Sequence, residues 1–169
     1  PDTASYSAPI IIEQGGKPVL LCYTGQHLAG LNPATGVVYW DFPTPPNKMV
    51  INVPTPVVRD GHVFLSCFYD GAYLFRLLED PLGVELRWRR QGKNEKNTDA
   101  LHAMISNPLI QGDYIYGVDS YGELRCLDLD TGNRIWEDLT AVPGDRWANI
   151  HMVENQGKTW MFNERGELI

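Results

Sequence analysis

At 169 residues and 19.1 kDa the chain can bury a core, and 43% hydrophobic with 21% charged residues excludes a disordered polymer. A net charge of −7 excludes the clustered basic surface that a duplex-binding protein needs, so no nucleic-acid partner is expected. No apolar run approaches the roughly 18–20 residues that span a bilayer.

The chain opens Pro1-Asp2-Thr3 without a methionine, as expected of a segment of a larger protein. The first apolar run, Ile10-Ile11-Ile12, follows Pro9. It predicts a strand, followed by further strands near Pro18–Tyr23, His27–Leu31 and Val37–Trp40. The order then repeats, near Pro56–Val58, His62–Phe68, Tyr73–Leu77 and Glu85–Trp88, with Leu78-Glu79-Asp80-Pro81-Leu82-Gly83 as the last turn. It repeats again at Pro108–Ile110, Tyr114–Val118, Glu123–Asp128 and Asn133–Trp136. A fourth round has strands at Asn149–Val153 and Lys158–Phe162, then Glu167–Ile169. No stretch of ten or more residues shows helical apolar spacing.

Trp40, Trp88 and Trp136 recur every 48 residues, and Gly25, Gly71, Gly122 and Gly166 mark the same tight turn in each round. Periods of this length signal propeller blades. A four-stranded meander with apolar residues on both faces needs cover on both, and stacking such sheets around an axis supplies it. A two-layer sandwich would show cleaner alternation of polar and apolar residues than Tyr114–Val118 does. The expectation is an all-β, partial β-propeller of about four blades of four-stranded antiparallel sheet, the last incomplete. The blades fall at about 5–41, 52–89, 104–137 and 148–169.

The segments Gly30-Leu31-Asn32-Pro33-Ala34-Thr35-Gly36-Val37-Val38-Tyr39-Trp40 and Cys126-Leu127-Asp128-Leu129-Asp130-Thr131-Gly132-Asn133-Arg134-Ile135-Trp136 each place a Trp four residues after a Thr-Gly turn. This pattern closely resembles the repeat of PQQ-like (quinoprotein-like) propellers. Gly36 and Gly132 supply positive φ, and Asp or Asn braces the turn. The resemblance implies that each Trp packs against the neighbouring blade. The second period departs at its Leu78–Gly83 turn. The family's rings usually have seven or eight blades, so the resemblance also implies a larger parent protein. It further suggests a bacterial, extracytoplasmic setting.

Two functional readings follow. One is a non-catalytic binding scaffold with a protein partner, as in the outer-membrane-assembly lipoprotein and the kinase-linked sensor propellers that the repeat resembles. The other is a fragment of a quinoprotein dehydrogenase carrying PQQ and Ca²⁺, for which the resemblance implies adjacent cysteines and acidic metal ligands. Cys22, Cys67 and Cys126 are neither adjacent nor in a CxxC pair, and are read as small buried strand residues. Asp128 and Asp130 are read as turn residues rather than metal ligands. No nucleophile elbow, phosphate loop or HExxH motif occurs. Neither catalytic nor cofactor residues are assigned.

Recognition is expected on the long inter-blade connections, 41–52, 89–102 and 137–147, because long loops on rigid scaffolds carry binding. The middle one is basic: Arg87, Arg89, Arg90, Lys93 and Lys96, against Glu95 and Asp99. With His102, Trp147 and His151 it forms the candidate binding face, suited to an acidic partner. Phe42, Pro43, Pro45 and Pro46 add a stiff apolar segment. His27 and His62 are read as ordinary sheet residues. Open end blades predict self-association through uncovered apolar faces.

Overall fold

A computed structural model describes residues 2–169 and contains fourteen strands and no helix. The strands are β1 (Ile10–Gln14), β2 (Lys17–Tyr23), β3 (His27–Leu31), β4 (Val38–Pro43), β5 (Val57–Arg59), β6 (His62–Cys67) and β7 (Gly71–Glu79). They continue as β8 (Leu82–Arg90), β9 (Leu109–Gln111), β10 (Tyr114–Val118), β11 (Leu124–Asp128), β12 (Arg134–Asp138), β13 (Ile150–Asn155) and β14 (Lys158–Asn163). They form three four-stranded antiparallel meanders in chain order, β1–β4, β5–β8 and β9–β12, and one two-stranded sheet, β13–β14. Residues Glu167–Ile169 add only a bridge, Phe162 to Leu168.

The registers explain the tryptophan beat. Across the first blade, Ile10, Leu21, Gly30 and Trp40 lie side by side on one face. The same row in the second blade is Val57, Phe64, Leu74 and Trp88, and in the third Leu109, Tyr116, Cys126 and Trp136. Each of these trailing faces meets the following blade. The opposite, leading face carries Val58, Val63, Phe75 and Leu86 in the second blade, and Ile110, Ile115, Leu127 and Arg134 in the third. Trailing and leading rows interlock in two buried clusters, Leu21–Trp40 with Val63–Phe75, and Phe64–Leu74 with Ile110–Leu127. Even-numbered and odd-numbered neighbours on a strand therefore serve different junctions, which is why neither set is polar.

The Trp88 and Trp40 indole nitrogens are tied to the following blade, the first directly and the second through Gln14. Trp88 Nε1 donates to the Leu129 carbonyl of the third blade at 2.8 Å. Trp40 Nε1 donates to Gln14 Oε1 at 3.0 Å, and Gln14 Nε2 in turn donates to the Leu78 and Gly83 carbonyls of the second blade, each at 2.7 Å. Gly132, at φ 68°, lies under Trp88, and a Cβ there would come within 3.0 Å of the indole carbons. Trp136 occupies the homologous position but is 43% exposed. It lines a cleft with Tyr116, Met152 and Met161 that the two-stranded fourth sheet covers only in part.

Other expectations need correction. The four recurrent glycines do not mark one and the same turn. Gly122 and Gly166 do close tight turns at positive φ, 101° and 78°, with their N–H groups donating to the Asp119 and Asn163 carbonyls at 3.1 and 3.0 Å. The Gly166 turn, however, leads into the Phe162–Leu168 bridge and no third strand. Gly71, at φ 76°, opens β7 itself. Gly25 lies outside the left-handed region, and what demands glycine there is a neighbour: its N–H donates to the Thr3 carbonyl at 2.8 Å, and the Thr3 backbone leaves no room for a Cβ.

The Leu78–Gly83 segment is not one long turn: β7 and β8 are nine residues each, and Glu79 pairs with Leu82 around Asp80-Pro81 alone. The extra pairs present the carbonyls that Gln14 grips. Cys67 and Cys126 are buried, but Cys22 is half-exposed, because it lies on the first blade's leading face, which no sheet of the chain covers. Burial pushes the Cys67 thiol up to about 11, so it is inert at neutral pH.

Candidate functional site

Each inter-blade connection runs over the β2–β3, β6–β7 and β10–β11 turns and is tied to them. Asn47 N–H donates to Asp70 Oδ1 at 2.8 Å, Gln91 Nε2 to the Tyr69 carbonyl at 3.2 Å, and Trp147 N–H to the Ser120 carbonyl at 2.9 Å. The loops and these turns thus share one side of the molecule.

Beneath that side lies a buried polar network. The Arg125 guanidinium pairs with Asp119 at 3.0 Å, both side chains at most 5% exposed. It also reaches Thr98 Oγ1 at 2.9 Å, the Ala100 carbonyl at 3.0 Å and Glu137 at 3.0 Å. Asp119 accepts further bonds from the His102 N–H and the Thr98 hydroxyl, each at 2.6 Å. Ser66 Oγ donates to the Leu101 carbonyl and accepts from Ala103 N–H. A loop without regular structure has no sheet ladder to satisfy its backbone, and these side chains supply the missing partners.

His102 belongs to this network and not to the exposed face. It is fully buried. Its Nε2 accepts the Gly92 N–H at 3.1 Å, so the neutral ring carries its proton on Nδ1 and donates to the Phe68 carbonyl at 3.0 Å. Burial pushes its pKa down against the opposing pull of Asp119.

Nor do the basic residues form one patch. Arg90 grips both oxygens of Asp99 at 3.1 Å and reaches Thr131 and Asn133 of the third blade. It is a stitch between blades. Arg89 stacks over Tyr73 at 4.9 Å from the ring centroid. Lys93 is exposed, and the Lys96 ammonium lies 5.6 Å from the Tyr121 ring centroid. His151 is exposed on β13, opposite Phe162 and away from this group.

What the loops do assemble is a cluster around Trp147. The Arg146 guanidinium lies 4.8 Å from the Trp147 ring centroid and 5.4 Å from that of Phe68. Its Nη2 donates to Glu95 at 3.0 Å, and Glu95 also accepts the Tyr121 hydroxyl at 2.9 Å. Desolvation pushes the Glu95 carboxyl up, but those two donors outweigh it and hold the group below the usual range. Trp147 itself has φ 70°, with its N–H held by Ser120 and its carbonyl by Asn149 Nδ2 at 2.7 Å, while its side chain is 47% exposed. A bulky residue pinned in the left-handed region is strained, and such strain concentrates at functional sites. Sequence reasoning missed Arg146 and Tyr121; the Arg-Trp dipeptide in a long connection was the available signal.

The three cysteines lie on three sheets. Among the described residues no group of three or more His, Cys, Asp or Glu is placed to hold a metal ion. No helix there is long and apolar enough to cross a membrane.

A family model described as outer membrane protein assembly factor BamB matches residues 2–138. The chain belongs to this PQQ-like propeller family. Solved structures also superpose on the chain at low identity. A computationally designed protein, Ika4, superposes with a TM-score of 0.61 at 8% identity, covering 96% of this chain and 89% of that one. A europium-containing methanol dehydrogenase superposes with a TM-score of 0.55 at 15% identity, covering 81% of this chain and 25% of that one. BamB from Moraxella catarrhalis gives a TM-score of 0.45 at 14% identity over 94% of this chain and 61% of that one. No curated protein matches the chain. The BamB-like chain thus spans a quarter of the dehydrogenase.

Proposed function

We propose that this chain is a non-catalytic binding segment of a PQQ-like propeller that docks a protein partner on its loop side. The observation that carries the reading is Trp147, an exposed indole held in a left-handed backbone and flanked by Arg146 and Tyr121. Trp, Tyr and Arg are the residue types that dominate binding energy at protein interfaces. Rigid aromatic anchors also lose little entropy on binding. Lys96, exposed and with its ammonium over the Tyr121 ring, adds a cation to this anchor that suits a segment combining acidic with apolar residues.

Peptides selected on the immobilised chain from a random library test this. The selected peptides are expected to carry Asp or Glu beside an aromatic or aliphatic residue. Their affinity, read by fluorescence polarisation, is expected to fall at least about tenfold for Trp147→Gly, the loss of one anchor. Glycine takes φ 70° without strain, so the loop backbone is retained while the indole is lost. Peptides that bind Trp147→Gly as well as the wild type overturn the reading.

A further inference from the structure

The three long connections differ in sequence but share one construction on the loop side. The strand turns supply aromatic rings, and the connections lay cations over them. Tyr69, in the β6–β7 turn, lies under the Lys48 ammonium of the 41–52 connection, 5.3 Å from the ring centroid. Tyr121, in the β10–β11 turn, lies under Lys96 of the 89–102 connection at 5.6 Å. Arg146 of the 137–147 connection covers Phe68 of the β6–β7 turn at 5.4 Å. Each connection runs between two sheets of the chain, so this construction belongs to the loop side and not to an end of the stack.

The three pairs form one continuous surface. The Phe68 and Tyr69 rings meet edge to face with centroids 4.8 Å apart. Lys48 is thereby joined through Tyr69 and Phe68 to Arg146 and Trp147, by steps none of which exceeds 5.4 Å. Lys96 joins through Tyr121 and Glu95, the carboxylate that both the Tyr121 hydroxyl and Arg146 bond. The surface carries three cations to that one carboxylate, on a chain whose net charge is −7. Met49, next in the chain after Lys48, is 63% exposed and adds apolar area to the first connection.

A local excess of positive charge on an acidic protein attracts a partner of opposite sign. A duplex polyanion would meet the repulsion of the rest of the chain, whereas a short acidic segment need touch this surface alone. An extended segment rises about 3.3 Å per residue, so roughly six residues bridge the steps from Trp147 to Lys48. We propose that the docking site at Trp147 extends across all three connections and takes an extended acidic segment, with an apolar side chain on Trp147 and a carboxylate about six residues away on Lys48. This rests on the reading of Trp147 as the anchor.

Dodecapeptides selected from a random library on the immobilised wild-type chain are the probe, and fluorescence polarisation reads their affinity. Lys48→Glu is expected to weaken them about fivefold to tenfold, the effect of turning one exposed ion pair into a repulsion. Lys17→Glu makes the same change in net charge at the end of β2 away from the loops, and is expected to leave the affinity unchanged. Both lysines are exposed, so both variants are expected to keep the wild-type circular dichroism. A peptide cut to the half that carries its apolar anchor is expected to keep its sensitivity to Trp147→Gly and to lose its sensitivity to Lys48→Glu. Affinity that falls for Trp147→Gly but not for Lys48→Glu overturns the extended site and leaves the anchor standing; affinity that falls for neither overturns both. Equal losses in Lys48→Glu and Lys17→Glu would show repulsion by the whole chain and overturn the proposal. Displacement of the peptide by a DNA duplex at equal concentration would mark an unselective polyanion surface and overturn it as well.

Discussion

Replacing Arg125 by methionine removes the centre of the buried network while preserving much of the side chain's volume. The guanidinium is within 3.0 Å of Asp119, Thr98 Oγ1, the Ala100 carbonyl and Glu137. Glu137 is half-exposed and keeps Arg134, so its loss contributes little. Asp119 is different. It is 2% exposed, and it retains only neutral donors, the His102 N–H and the Thr98 hydroxyl. Removing one partner of a buried pair costs about 3–5 kcal/mol, and those remaining donors place Arg125→Met near the lower end. For a chain of this length that lowers Tm by roughly 6–12 °C at about 2–4 °C per kcal/mol. Urea unfolding followed by tryptophan fluorescence measures the free energy, and hydrogen exchange of residues 92–104 reports whether the loop is released. A loss below about 1 kcal/mol, the scale of an exposed pair, would show that Arg125 does not hold the loop.

Gly132→Ala and Gly36→Ala separate backbone strain from packing. Both sites have positive φ, 68° and 74°, but a Cβ at 36 meets nothing within 4 Å while one at 132 strikes Trp88 and Arg90. Gly36→Ala is expected to lose about 1–2 kcal/mol and Gly132→Ala more than that; equal losses would refute the Trp88 contact as a constraint. The buried neutral His102 sets a pH dependence. Its folded pKa lies below the unfolded value of about 6.5, so below that pH the unfolded chain binds a proton that the folded chain does not. Stability in urea is expected to be full well above this value and to fall as the pH drops below it, and His102→Gln is expected to flatten the fall. An unchanged slope in His102→Gln would assign the effect elsewhere.

Strand positions and the propeller class were legible because alternation and turn chemistry are local, and because a period of 48 residues repeats them three times. What failed to show were partners set by distance in the chain. Gly25 reads as a turn glycine like Gly122, but the constraint on it comes from Thr3, a neighbour brought in by the first segment of the chain. The Leu78–Gly83 stretch has the composition of a loose turn, but the carbonyls it presents are wanted by Gln14, more than sixty residues earlier. Arg90 reads as part of a basic run, yet it is neutralised by Asp99 and anchored on Asn133. His102 reads as a polar residue near a strand, whereas its ring partners are backbone atoms of Phe68 and Gly92, which no side-chain pattern reveals. Trp147 was visible as an aromatic in a long connection, but its positive φ was not, since no glycine marks the position.

The same residues explain how a sheet stack can hold a defined loop surface. Alternation along the strands commits their side chains to the two junctions, so the sheets leave little for recognition. The loops are free to vary but lack ladders of their own, and each therefore borrows order from the turn beneath it: Glu95 from Ser120 and Tyr121, Trp147 from Ser120, Ala100 and His102 from Arg125 and Asp119. Ser120 and Tyr121 lie in the turn between β10 and β11, whose strands are clamped between the second blade and the fourth sheet. The position of the Trp147 indole is thereby fixed by the stacking of blades on either side of it. Under the proposed function, a lesion at a blade junction is expected to weaken peptide binding at Trp147 without touching a contact residue.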